Sequence, residues 1–174
     1  MLKGNHVGLR AIEKQDLETL LMWRNQPELR RYFREFRELN STQQLIWFEK
    51  CVLDNSKTHM FSICELESQN LIGACGLCYI DWVNRSADFS IYIGAEGLYI
   101  DDKYAHDAGD LMIRYAFDEL NLHRLWAEIY NFDQIKMQYF SKLGFLLEGK
   151  FRDTHWAEGK WHDSLFYSLL STDF

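Results

Sequence analysis

Residues Ser86 to Phe117 read SADFSIYIGAEGLYIDDKYAHDAGDLMIRYAF. Phe89, Ile91 and Ile93 alternate with Asp88, Ser90 and Tyr92, the period-2 pattern of a strand with two unlike faces. Past a turn containing Gly94, the residues Ala108, Leu111, Met112, Tyr115 and Ala116 recur at helical spacing. The stretch therefore predicts strand, loop and helix in succession. A helix start leaves several backbone N–H groups without intrahelical partners. Together with the positive end of the helix dipole, they make a seat for an anionic group such as a pyrophosphate.

Outward from this stretch the patterning continues. Asn121 is a plausible helix stop, Arg124–Tyr130 alternates as a further strand, and a helix from Asp133 to Leu143 stops at Gly144, a residue suited to the left-handed position past a helix end. Phe145–Phe151 and Trp161–Leu170 are two closing strands that turn at Glu158-Gly159. Upstream, Met60–Leu66 and Leu71–Ile80 pair around Glu67-Ser68-Gln69-Asn70, and Val7–Ile12 is a first strand. Asp16 is placed to cap a helix with an inward stripe of Leu17, Leu20, Leu21 and Trp23 that ends near Asn25. Pro27 opens a short turn carrying Leu29, Tyr32 and Phe33, and Ser41 with Gln44 forms a capping box ahead of a helix through Leu45, Ile46, Phe48 and Val52. Hairpins at both ends and two crossovers in the middle predict an α/β (α+β) fold, a mixed and largely antiparallel sheet flanked by helices. Pro27 is the one proline and nothing resembles a linker, so residues 1–174 are expected to form one domain.

The run NLHRLWAEIYNFDQIKMQYFSKLGFLLEG, with its Lys142, Gly144 and Phe145, resembles the second half of the acetyl-CoA-binding core of the GNAT N-acetyltransferase superfamily. LRAIEKQDLETLLMWRN and IDWVNRSADFSIYIG are similar to the branch that modifies ribosomal-protein N-termini, polyamines and amino sugars. The resemblance implies a GNAT-like fold over the whole chain. It also implies transfer of an acetyl group from acetyl-CoA to a primary amine by direct attack in a ternary complex. It implies that the sheet opening beside Ile91 and Ile93 supplies the oxyanion donor and that the loop from Ile100 through Lys103 and Tyr104 to Ala105 cradles the pyrophosphate. Asp133, Phe140 and Lys142 then lie along the cosubstrate, and Trp23, Asn25, Tyr32 and Tyr92 belong to the acceptor pocket, although Trp23 reads equally as core.

Two departures from the family pattern stand out. Its cradle is usually Gln or Arg, two variable residues, Gly, one variable, then Gly or Ala. Here the run is Ile100-Asp101-Asp102-Lys103-Tyr104-Ala105, in which two carboxylates oppose a pyrophosphate and Lys103 is a partial compensation. Asp133 stands in place of a frequent asparagine, and Phe140 in place of the tyrosine that protonates the departing thiolate. Tyr139 is the neighbouring hydroxyl, turned about 100° away along the helix. A competing reading is therefore a GNAT-fold binding or regulatory module with weakened or lost acyl-CoA binding.

For the base that deprotonates the amine, the candidates are Asp88 and Glu128, on the two strands that flank the cosubstrate. Asp88 also reads as a strand carboxylate paired with a neighbour such as Arg85. His123 reads as structural, while His155 and His162 either cap the acceptor or belong with Trp156 and Trp161 to a homodimer seam.

Composition bounds the rest. A net charge of −7 disfavours nucleic acid as a partner and is compatible with a small-molecule or peptide amine. MLKGNH is polar and no apolar run reaches membrane length, so a cytoplasmic protein without membrane association is expected. Of the four cysteines, Cys75 and Cys78 form a single C-x-x-C inside a strand pattern, where odd spacing sends the side chains to opposite faces. Reduced thiols are expected, with no metal site and no covalent nucleophile.

Overall fold

The alternation in Ser86–Ile93 forms a strand with those same limits, and so does that in Arg124–Tyr130. In the computed structural model, which describes residues 1–53 and 56–174, these are β5 and β6 of an eight-stranded sheet. The other strands are β1 (Leu2–Lys3), β2 (Val7–Ala11), β3 (His59–Glu65), β4 (Leu71–Asp81), β7 (Leu146–Ala157) and β8 (Lys160–Leu170). Their spatial order is β1-β2-β3-β4-β5-β6-β8-β7. Every neighbouring pair is antiparallel except β5 and β6, which are joined by a helical crossover as parallel pairing requires.

The helices are α1 (Leu17–Asn25), α2 (Pro27–Arg30), α3 (Ser41–Trp47), α4 (Tyr104–Arg114) and α5 (Gln134–Lys142). Because strand side chains alternate, β5 divides the core in two. Phe89, Ile91 and Ile93 pack with Ala108 and Met112 of α4 and Phe140 of α5. On the opposite face, Tyr92 joins Leu20 and Trp23 of α1, Leu29 of α2 and Phe48. Past α5 the chain turns at Gly144, whose φ of +88° needs a residue without a Cβ. Among the described residues no helix is long and apolar enough to cross a membrane.

Parallel pairing between β5 and β6 covers Ser86↔Arg124, Ala87↔Leu125 and Asp88↔Trp126, and then stops. Beyond it β5 stays paired with β4 as far as Ile93, and β6 with β8 as far as Tyr130. A wedge therefore opens in the middle of the sheet between residues 89–93 and 127–130.

Three local expectations are corrected. Asp16 makes no side-chain cap to α1. Its carboxylate instead accepts from both Arg10 Nη atoms at 2.6 and 2.8 Å, from the Glu13 N–H and from Ser62 Oγ. The capping box of α3 is Asn40 with Gln43, one residue earlier than Ser41 with Gln44. The inward stripe differs too: Gln44 is buried while Leu45 and Ile46 are exposed.

Candidate active site

A cleft of about 490 Å³ opens where β5 and β6 part, and Asp88, Glu128, Tyr32 and Phe140 are among its lining residues. Asp88 is the last residue of β5 paired with β6 and only 4% exposed. Arg34, from the segment between α2 and α3, reaches its Oδ2 with Nη1 at 2.6 Å and lies 3.7 Å from Oε2 of Glu128. The guanidinium sits 5.6 Å from the Tyr79 ring centroid and 5.8 Å from that of Trp126. Burial pushes the Asp88 carboxyl above its ordinary range, against the pull of Arg34 and Lys136. Burial likewise pushes the Lys136 ammonium down, against Asp133 and Asp88. A desolvated carboxylate with a raised pKa is a better proton acceptor than one in water.

The opening also presents backbone donors. The Gly94 N–H bonds Ile72 O on the β4 side, so by strand alternation the Ile93 and Ile91 N–H groups point the other way, into the gap. The Ile93 N–H is taken by Tyr99 O at 2.7 Å, and Ile91 is the next donor inward. The Ile91 and Ile93 side chains themselves are core. Lys136 and Phe140 are one turn apart on one face of α5, and both line the cleft.

At the start of α4 the anion seat is already filled from within the chain. Asp101 accepts the N–H groups of Lys103 at 3.1 Å, Tyr104 at 2.9 Å and Ala105 at 2.8 Å. Lys103, expected to compensate, is engaged elsewhere, its Nζ 3.1 Å from Tyr104 Oη, which donates to Glu65; Lys142, expected along the cosubstrate, pairs with Asp102 at 2.6 Å. Ile100 is half-buried against the core. Asp133 is buried, caps α5 through the Lys136 N–H at 3.0 Å and accepts the Tyr99 hydroxyl. The residues present fit the thioester end of acetyl-CoA, whereas the pyrophosphate seat holds the Asp101 carboxylate. Asp101→Asn keeps an oxygen acceptor for the cap and removes the charge, so it is expected to tighten acetyl-CoA binding about tenfold by calorimetry. An unchanged or weaker Kd would place the phosphates away from this helix start.

Three sequence-based site residues, Tyr139, Asn25 and Tyr92, are corrected, and of the two readings of Trp23 the structure shows the core one. Tyr139 lies outside the cleft lining and donates to the Ala105 carbonyl at 2.8 Å, tying α5 to α4, so its hydroxyl is turned away from the position of a leaving thiolate; burial holds its phenol far above the ordinary value. Trp23 is core, its indole so close to the end of β5 that a Cβ on Gly94 would lie 2.1 Å from it. The Asn25 carboxamide exchanges two hydrogen bonds with the Leu39 backbone, at 2.8 and 2.9 Å. Tyr92 is buried edge-on to Phe33, 5.2 Å between centroids. By contrast, Tyr32 stands in the cleft wall, stacked at 4.3 Å on Tyr99. Neither histidine of the last hairpin lines the cleft: His155 stacks on Tyr130 and His162 meets Asn131. His123 sits 3.1 Å from Ser171.

Arg34, Lys136 and Arg24 are cleft residues beyond those expected from the sequence. Lys136 had a readable signal in its i, i+4 spacing to Phe140. Arg34 had none, since it reaches Asp88 across 54 positions of chain.

A parallel strand pair that splays beside a helix start, with a buried carboxylate at the fork, is the frame of the site. Residues 6–146 match the acetyltransferase (GNAT) domain family, and the chain belongs to it. It is an N-acetyltransferase that uses acetyl-CoA and acts on an amine. Similar proteins include the uncharacterized N-acetyltransferase p20 of Bacillus licheniformis, 27% identical over 95% of this chain and 93% of that one. Spermidine N(1)-acetyltransferase of Vibrio cholerae is 26% identical over 98% and 96%. The putative ribosomal N-acetyltransferase YdaF of Bacillus subtilis is 27% identical over 98% and 94%. In fold the chain is like the crystal structure of spermidine N-acetyltransferase from Vibrio cholerae in complex with CoA and spermine, with a TM-score of 0.87, 24% identity and coverage of 96% of both chains.

Proposed function

We propose that the chain acetylates a primary amine held in the cleft, by direct transfer in a ternary complex, with Asp88 as the group that takes the amine proton. The observation that carries this is the position of Asp88, buried at the fork of β5 and β6 on the cleft wall. Arg34 orients that carboxylate, Glu128 shares the guanidinium, and the Ile91 N–H faces the opening where an oxyanion develops. Relatives named for spermidine and for the ribosome support an amine acceptor. Direct transfer is supported by the state of one of the two cleft thiols: burial pushes Cys78, the cysteine on the β4 side of the cleft, up to about 12, which leaves almost no thiolate at neutral pH. The cytoplasm is the compartment we assign. A homodimer through the last hairpin is supported by the exposed indoles of Trp156 and Trp161.

The test is thiol release from acetyl-CoA against a panel of primary amines, with mass spectrometry of the protein after incubation with acetyl-CoA alone. Amine-dependent CoA release with no acetylated protein is expected. Acetylation of a cysteine without an amine present would overturn direct transfer, and thiol release indifferent to every amine would overturn the acceptor reading.

A further inference from the structure

The cleft adjoins a second chamber of about 390 Å³, with Arg24, Glu35, Trp47 and Cys51 lining both. The chamber holds three cationic side chains, Arg24, Arg37 and Lys50, and one carboxylate, Glu35. That carboxylate is neutralised by Arg37 at 2.8 and 2.7 Å, which draws it down to about 2. Arg24 and Lys50 form no ion pair among the described residues; the Arg24 guanidinium lies 5.2 Å from the Phe33 ring centroid. The independent observation is Gln44. It lines the chamber at 2% exposure, and its Nε2 is buried with no hydrogen-bond partner. A buried donor without an acceptor is costly and uncommon in native structures. Gln44 borders a chamber in which the two cationic groups without an ion pair among the described residues, Arg24 and Lys50, are also donors.

We infer that this chamber binds a phosphate carried by the acceptor, so that the substrate is a primary amine bearing a phosphate and not a polyamine. The inference rests on the reading of the cleft as the acceptor site. The Arg24 fork, the Lys50 ammonium and the Gln44 amide together offer more N–H donors than a carboxylate accepts, and a phosphate brings three acceptor oxygens to meet them. The main cleft provides the complementary end, where Asp88 and Glu128 face the amine. Two adjoining chambers of about 490 and 390 Å³, the first shared with the thioester end of acetyl-CoA, suit an acceptor with an amine at one end and a second polar group at the other. For a polyamine the same chamber is unfavourable, since each further ammonium group meets Arg24 and Lys50 with no uncompensated carboxylate in the second chamber.

The experiment compares acceptors that differ only in the phosphate: O-phosphoethanolamine with ethanolamine, and glucosamine 6-phosphate with glucosamine, with spermidine as a third arm. Binding is read by calorimetry in the presence of saturating CoA, so that its phosphates already occupy their own sites, and turnover is read by thiol release from acetyl-CoA. The phosphorylated member of each pair is expected to bind at least tenfold tighter and to show a kcat/KM higher by a similar factor. Arg24→Met and Gln44→Leu are each expected to narrow that difference, with circular dichroism showing that both variants fold. Equal binding within each pair, a difference that survives both substitutions, or a preference for spermidine over both phosphorylated amines would overturn the inference while leaving amine acetylation in place. Phosphate-dependent binding that responds to both substitutions, with no amine acetylated, would overturn the acceptor reading and leave the phosphate subsite standing.

Discussion

Replacing Asp88 by asparagine is expected to lower kcat about a hundred- to a thousand-fold at neutral pH while the protein stays folded. An alkylamine has a pKa near 10 and arrives as the ammonium form, which has no lone pair for the thioester carbonyl. Asp88 is the carboxylate best placed to take that proton, because burial raises its basicity while Arg34 keeps it in the cleft wall. Asparagine fills the same volume and retains an oxygen for Arg34, so the loss is specific to proton transfer. The deficit is expected to shrink as pH rises toward the pKa of the amine, because solvent then delivers the free base. The low-pH limb of kcat/KM, which reports the carboxylate, is expected to disappear in the variant. A loss below about threefold, or a deficit that stays constant with pH, would move the role to Glu128, the other carboxylate within reach of Arg34. The matching Glu128→Gln variant decides between them.

The frame of this site was legible from the sequence wherever one physical signal dominated. Period-2 alternation placed β5 and β6 to the residue, and Gly144, at positive φ, ended α5 where the pattern stopped; Asn121, also at positive φ, follows the π-helical stretch Tyr115–Glu119 that extends α4. The errors came where two signals competed. Asn40 and Ser41 are adjacent cap residues and Gln43 and Gln44 adjacent box partners, so the box was readable in either register. Asp101 was read as repelling a pyrophosphate, when its immediate chemistry is to satisfy the N–H groups just downstream of it. Arg34 and Arg24 were out of reach for another reason. Their roles depend on which rings and carboxylates the fold brings beside them, and neither residue belongs to a motif.

The same limit hid the residue whose loss is expected to cost the most stability. Asp107, on α4, is 8% exposed. Its carboxylate accepts the backbone N–H groups of Asn5 at 3.0 Å, His6 at 2.6 Å and Val7 at 2.9 Å, about a hundred positions away in the chain. These bonds hold the first strands against the helix that starts at the cosubstrate end of the wedge. Asp107→Ala leaves all three donors without that acceptor, one of them buried. The expected loss is about 2–3 kcal/mol, or a Tm lower by roughly 5–10 °C for a chain of this size. Asp107→Asn retains one oxygen and should recover part of it. The wild-type contribution should also depend on pH. Burial works to raise the Asp107 carboxyl, but the three N–H groups outweigh it and hold the folded value below the ordinary 3.8. The stabilisation is therefore present above the unfolded pKa and is lost as pH falls through the folded one. Thermal melts of the wild type and Asp107→Ala should differ widely at neutral pH and converge in acid. Melts that coincide at neutral pH would show that water replaces the carboxylate without cost, and that β2 is held to α4 by packing alone.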